Sequence, residues 1–438
     1  MMKNTGGGVF EFQPIMPEGW TWEPDVEFPV ISVALEDEDT QKDNILPERR
    51  SRMGSSDTWL DADYADTGWY DGHEDDSDYE ISTAAELAGL AKLVNVERIN
   101  FRDKTILLTD EVDLDGHQWV PIGNADCSFQ GTFDGGNAVV SQMRMNVSGS
   151  QAAAGNAGLF GRLFGGTVKN VIIGEDAEIL IDYTGNSSSN YNGYGAVAGS
   201  VSDSGLVENC HNLADISAST GDTTIGVGGI VGHLNSGSVR NCSNSGTISG
   251  TSIVAGGVVG QNGGSGKGTI QNCWNTGTVT MDGYYVYAGG ITGENYTSTS
   301  KVENCYNAGD IEGTENRSYY GGVAASNSGA VTNCYNAGIL TVPDKDSMYA
   351  GSVTGDNSSG KTANSWYKDT GINETMPGVG NSGTENAVYS FDGTGVFADD
   401  AVVTVGEASY TSLLPALSAW VDSQPAGYWF WTGDAAAP

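Results

Sequence analysis

The chain has 438 residues, 63 of them glycine, and sets 56 Asp and Glu against 19 Lys and Arg, for a net charge of −37. So acidic a surface repels phosphate backbones and anionic lipid, which argues against nucleic acid and membrane surfaces as partners and leaves cation binding open. No apolar run is long enough to span a bilayer, so membrane insertion is not expected.

Residues 1–56 read as a disordered or extended leader. Pro14, Pro17, Pro24, Pro29 and Pro47 interrupt any periodicity, and Glu36-Asp37-Glu38-Asp39 and Arg49-Arg50-Ser51-Arg52 are solvated charge. The opening residues lack the apolar stretch of a secretory signal.

Residues 57–145 form a lead-in and cap. Asp61, Asp63 and Asp66, with Asp71, Asp75, Asp76 and Asp78 after them, are dense enough in carboxylate to be a calcium candidate. Their spacing fits no known calcium loop, and a solvated acidic lead-in explains them more simply. A helix is expected at about 82–95. Ser82 or Thr83 can cap it, Glu86 is placed for a capping box, and Leu87, Leu90, Ala91 and Val94 share one face. Short strands follow at Thr105–Leu108, Val112–Leu114, Trp119–Gly123, Phe129–Gly136 and Val139–Val140.

Residues 146–370 repeat. Val239-Arg240-Asn241-Cys242-Ser243-Asn244-Ser245-Gly246 returns as Ile270-Gln271-Asn272-Cys273-Trp274-Asn275-Thr276-Gly277, and again around Cys305 and Cys334, with a forerunner at Cys210. Successive cysteines lie 32, 31, 32 and 29 residues apart. Ahead of each Asn-Cys pair sits a short run of small residues, such as Gly228-Gly229-Ile230-Val231-Gly232 or Gly289-Gly290-Ile291-Thr292-Gly293. Runs this short, punctuated by Gly and Asn, are strands, and a unit of this size must stack on its neighbours to bury its core. The expected fold is all-β: a right-handed parallel β-solenoid, with three short strands per coil, a helical N-terminal cap and a short C-terminal closing helix. Asn209, Asn241, Asn272, Asn304 and Asn333 then form a bend column, since Asn tolerates the left-handed backbone and stacked amides can bond coil to coil. Cys210, Cys242, Cys273, Cys305 and Cys334 point inward as small apolar residues, and with Cys127 are read as free thiols.

Residues 371–438 read as irregular last coils and a closing segment, with a short helix at Tyr410–Val421. In the degenerate unit Asn364-Ser365-Trp366-Tyr367, serine takes the place of cysteine.

The small-residue runs ending in glycine and the Asn-Cys-Tyr-Asn-x-Gly units resemble the GLUG-motif repeats of bacterial surface and secreted proteins. Ile81–Val94 and the following strands are similar to the N-terminal cap of those pectin-lyase-like β-helices, and Leu413–Val421 with Tyr428–Trp431 to their closing segment. The resemblance implies an extracellular or cell-surface location, as part of a larger surface protein.

Candidate chemistry is sparse. Glu208, Arg240, Lys301 and Glu303 occupy an ordinary solvated column, and no His-Glu-x-x-His occurs among the four histidines. No catalytic residue, and no cofactor, is assigned. The residues after the cysteines, Trp274, Tyr306, Tyr335 and, in the degenerate unit, Trp366, form an aromatic column. Alternation along a strand turns them outward, where they could meet sugar rings or a protein. A second column, Tyr287, Tyr319 and Tyr349, shares its position with Val254 and reads as core or turn packing. The expectation is a non-catalytic module for adhesion, spacing or binding of a host or microbial glycan or surface protein. The alternative is a carbohydrate-active enzyme, a polysaccharide lyase or hydrolase, for which two carboxylates should converge in a groove.

Overall fold

The computed structural model describes residues 2–4, 10–12, 58–60, 64–148, 155–183, 193–220, 225–251, 254–264, 266–283, 285–314, 318–342, 349–368, 377–382, 388–391, 397, 402–405, 408–413, 415–416 and 419. The chain divides into two compact units, one of residues 56–393 with 397–399, the other of residues 1–55, 394–396 and 400–438.

The larger unit is a parallel β-solenoid. One coil runs through Gly226–Gly228, Val231–Leu234, Gly237–Arg240, Ser243–Asn244 and Ile248–Thr251. Each strand pairs in parallel with its equivalent one coil on, so the five form five sheets of 6, 8, 10, 10 and 7 strands respectively. Five strands per coil replace the three expected. Two tight bends make the difference. One, at Gly229–Ile230, divides the small-residue run. The other, at Ser245–Thr247, divides the segment after the cysteine.

Residue-for-residue stacking turns sequence positions into columns. Val207, Val239, Ile270, Val302 and Val331 are consecutive partners in the third sheet. The column continues back through Val168, Phe133 and Ile106 to Tyr79. All of these are buried, each aliphatic side chain contributing roughly 1.5–3 kcal/mol. Toward the first coils the core becomes aromatic, with Phe101, Phe129, Phe160 and Phe133 in contact at ring-centroid distances of 5.2–6.4 Å.

Asn209, Asn241, Asn272, Asn304 and Asn333 all have φ between 52° and 56°, and Asn137, Asn170 and Asn364 continue the bend at positive φ. Their amides form a ladder at the rim: Asn272 donates to Asn241, Asn304 to Asn272 and Asn333 to Asn304, at 3.2–3.3 Å. The five repeat cysteines are buried free thiols, as is Cys127. Each repeat thiol donates to the carbonyl two residues earlier, as Cys242 does to Arg240 at 3.1 Å. Ser365 keeps that bond, donating to Ala363 at 3.0 Å.

A second, fully buried asparagine ladder runs through Asn212, Asn244, Asn275, Asn307 and Asn336. Every Nδ2 donates to the Oδ1 of the next, at 2.8 Å in all four steps. The same nitrogen also donates to the carbonyl two residues on, as Asn275 does to Gly277 at 2.7 Å, and this clamps the bend after the cysteine. Glycine opposite makes the room. A Cβ on Gly257 or Gly290 would collide with the carboxamide of Asn275 or Asn307 and with the carbonyl of the next coil. Where the ladder ends, both partners change: Tyr367 follows Asn336 in register, and Ser352 stands in the place that Gly229, Gly257, Gly290 and Gly322 hold in the four preceding coils.

A helix, α1 (Ala84–Asn95), replaces the other strands of the first coil. Thr83 is its N-cap and forms a capping box with Glu86; Leu87, Leu90, Ala91 and Val94 are buried. Hydrogen bonds tie it to neighbouring loops, from Trp69 Nε1 to the Glu86 carbonyl (3.2 Å) and from Asn95 Nδ2 to the Pro121 carbonyl (2.9 Å). Among the described residues no helix is long and apolar enough to cross a membrane.

In the leader, Met2–Asn4 and Phe10–Phe12 pair as antiparallel strands, and the rest of residues 1–56 lies outside the described residues. In the C-terminal region Val379–Ser382 and Val388–Phe391 continue the parallel sheets, while Val403–Val405 and Ala408–Tyr410 form a separate antiparallel pair. The expected closing helix at Tyr410–Val421 and the Tyr428–Trp431 segment lie partly or wholly outside the described residues.

The two ladders differ in what they require. Asn275→Ala deprives the Gly277 carbonyl and Asn307 Oδ1 of their buried donor and should cost about 3 kcal/mol in denaturant unfolding. Asn272→Gly, which keeps the positive φ, should cost under about 1 kcal/mol, and Asn272→Ala about 1–2 kcal/mol. Equal losses for Asn275→Ala and Asn272→Gly would contradict this assignment.

Candidate functional site

The post-cysteine column is stacked but closes toward the C-terminal coils. Trp274 and Tyr306 lie 6.2 Å apart and 8° from parallel, Tyr306 and Tyr335 5.1 Å and 5°. Trp274 and Tyr306 are half-buried, whereas Tyr335 and Trp366 are each only 2% exposed. Burial pushes the Tyr306 hydroxyl up to about 12 and raises that of Tyr335 as well. The expected outward stripe of four is therefore two partly accessible rings. Their parallel planes also cover one another's faces, so it is mainly ring edges that can meet solvent.

The second tyrosine column is more open. Val254, Tyr287, Tyr319 and Tyr349 are successive partners in the sheet of Gly226–Gly228. Tyr287 and Tyr319 stack at 4.4 Å and 2°, while Tyr349 tilts 33° away from Tyr319 at 5.3 Å and is 39% exposed. This column is thus a half-exposed ladder, not core packing. Alternation along these strands explains it: Ala288, Tyr320 and Ala350 are the buried, inward-facing partners, so the residues just before them, Tyr287, Tyr319 and Tyr349, lie on the outer side.

Beside it, in the sheet of Val231–Leu234, runs a polar column in register: Ser200, His233, Gln261, Glu294, Ser326, Asp356 and Asn381. Gln261 Nε2 donates to Glu294 Oε2 at 2.8 Å, and Asn381 Nδ2 donates to Asp356 Oδ1 at 3.0 Å. Burial raises the Glu294 carboxyl above the usual range, against the pull of the Gln261 amide. The Tyr287 hydroxyl is raised by burial first, then by Glu294 and Tyr319, and that of Tyr319 by burial and then by Asp356. The two tyrosines and two acids thus sense one another electrostatically. Sequence reasoning missed this column. Its signal is the polar residue before asparagine after each small-residue run, as in Gly260-Gln261-Asn262, Gly293-Glu294-Asn295 and Gly355-Asp356-Asn357.

The other candidates do not join this cluster. Glu208 and Arg240, 3.8 Å apart, and Lys301 and Glu303, 2.7 Å apart, form surface ion pairs. Of the calcium candidates, Asp61 and Asp63 lie outside the described residues, and Asp66 Oδ1 accepts from the Gly68 amide at 2.8 Å. Among the described residues no group of His, Cys, Asp and Glu is arranged to hold a metal.

The family model described as the GLUG motif matches residues 223–249. That span is one coil, from just before Gly226–Gly228 into the strand that begins at Ile248. Comparison with curated proteins gives no match. Among solved structures, a Bacteroides ovatus protein described as a candidate immunoglobulin A1 protease aligns with a TM-score of 0.46 at 19% identity, covering 64% of this chain and 84% of that one. A structure described as IgA1 protease aligns with a TM-score of 0.45 at 18% identity, covering 66% of this chain and 21% of that one.

Glu294 should weaken the fold at neutral pH. Its folded pKa is raised, so as pH climbs past the ordinary carboxyl value of 4.5 the unfolded state ionises first and gains stability. Unfolding midpoints of Glu294→Gln, which can still accept from Gln261, should match the native protein near pH 4. They should exceed it increasingly above that, levelling off once the folded carboxyl has ionised. A constant offset at all pH values would refute the shift.

Proposed function

We propose that this chain is a non-catalytic binding module of a secreted or cell-surface protein, and that its ligand face is the Tyr287–Tyr319–Tyr349 ladder with the polar column beside it. The observation that carries the reading is the register of the two columns. Partly exposed aromatic rings and hydrogen-bonding side chains repeat together, coil after coil, on adjoining sheets. Partly exposed aromatics edged by polar groups are the usual makings of a recognition surface. The GLUG coil supports the extracellular setting, since it resembles repeats of bacterial surface proteins. In this reading the solenoid has the right hand that parallel crossovers favour, and α1 covers its first coil, protecting strand edges from pairing with other chains. Partners are a glycan or a surface protein; nucleic acid is disfavoured by the net charge of −37.

The second reading, a carbohydrate-active enzyme, is favoured by one feature: Glu294, a carboxyl of raised pKa, shares a column with Asp356 two coils away. The two readings separate in a single pair of assays, binding and hydrolysis or elimination, on native protein and Glu294→Gln. A binding module retains its ligand and shows no turnover in either form. Turnover abolished by Glu294→Gln, with ligand still bound, would overturn the module in favour of the enzyme.

A further inference from the structure

We propose that the open end of the tyrosine ladder, formed by Tyr319, Tyr349, Ser326, Asp356 and Asn381, is a subsite for an uncharged glycan laid across the coils along the stacking direction. This rests on the reading of that face as the ligand surface and goes on to name the ligand class and the contacts.

Within the ladder a ring face is not available to a ligand. Tyr287 and Tyr319 are parallel at 4.4 Å, so their faces are spent on each other. The 33° tilt between Tyr319 and Tyr349 breaks that pattern, and Tyr349 is the last ring of the ladder among the described residues. Of the three rings it is the most exposed, at 39%. An amphipathic ring, apolar on its face and polar at its hydroxyl, suits the C–H surface of a pyranose.

Hydrogen-bonding groups are arranged next to that ring at the coil repeat. Asp356 on the strand Thr354–Asn357 follows Tyr349 by one bend, and Ser326 and Asn381 are placed one coil to either side of Asp356. Asp356 is oriented by its Oδ1, which accepts from Asn381 Nδ2 at 3.0 Å and from the Ser358 amide at 3.1 Å. Among the described residues Asp356 Oδ2 and the Ser326 hydroxyl have no protein partner, which leaves an acceptor and a donor facing the same side. A planar carboxylate, a carboxamide and a hydroxyl in a row match the alternating donors and acceptors of sugar hydroxyls. Stacked coils repeat at about 4.8 Å, so the row is extended and favours a chain over a single sugar.

Charge selects among glycans. Glu294 and Asp356 lie in the column, and the chain as a whole carries −37. No Lys or Arg occupies the column between Ser200 and Asn381. Sialylated, sulfated or uronate-bearing chains would meet repulsion without a compensating cation.

The test is an array of neutral gluco-, manno- and galacto-oligosaccharides alongside sialylated and uronate-bearing glycans, probed with the full chain. Titration calorimetry on the strongest neutral hit follows. Tyr349→Ala and Asp356→Asn, each checked for an unchanged unfolding midpoint, should weaken that hit by about tenfold or more, and Trp274→Ala should leave it unchanged. Asp356→Asn preserves shape, so its loss cannot be ascribed to misfolding. Preferential binding of anionic glycans would overturn the ligand class. So would capture of a surface protein, but no glycan, through a contact sensitive to Tyr349→Ala; the face itself would then stand. Neutral binding sensitive to Trp274→Ala alone would overturn both the subsite and the face, as would no binding to glycan or surface protein.

Discussion

The solenoid depends on a contact between a buried asparagine and a glycine. Asn244, Asn275, Asn307 and Asn336 place an uncharged amide in the core; the first three each donate to the next coil and to their own bend, and Asn336, the last, donates to its own bend. A primary amide can do this without leaving a buried group unpaired, because Nδ2 has two hydrogens and Oδ1 accepts from the preceding coil. The glycines Gly229, Gly257, Gly290 and Gly322 lie against those amides, where a side chain would not fit. The two most conspicuous marks of the repeat, its double glycine and its Asn-Cys-x-Asn, are therefore the two sides of one contact. An aliphatic residue in that place would be as well buried, but it would hold neither the bend nor the register.

Much of this architecture was legible because period is a strong signal. Five cysteines at near-constant spacing required stacked coils whatever the local propensities, and an asparagine before each one fixed a bend. The division of the segment after the cysteine into two strands was less visible, since it arises from Asn244 and its equivalents reaching the carbonyl two residues ahead. Those asparagines look like loop residues in a sequence rich in Gly, Ser and Asn, and only stacking shows that they are buried.

The aromatic columns show where alternation along a strand stops being informative. It places Trp274, Tyr306, Tyr335 and Trp366 on the outer side of their sheet, but exposure depends also on what lies over that side, and Tyr335 and Trp366 are covered. Position-sharing with Val254 suggested the opposite for Tyr287, Tyr319 and Tyr349, yet that place tolerates either residue because it lies at the margin of the core. The polar column was hidden for a related reason: its members are chemically unlike one another, and become a site only when the coils are stacked. Ser200, His233 and Gln261 are buried, whereas Glu294, Ser326 and Asp356 are half-buried, so it is in the later coils that chemistry can vary with least disturbance to the fold.

The most direct test of the central claim is amide exchange of the asparagine side chains, read by NMR on selectively labelled protein. The Nδ2 protons of Asn244, Asn275 and Asn307 should exchange only with global unfolding, while those of the rim asparagines Asn241, Asn272 and Asn304 should exchange much faster. Rapid exchange of the first set, at rates close to those of the second, would show that the buried ladder does not hold the coils together.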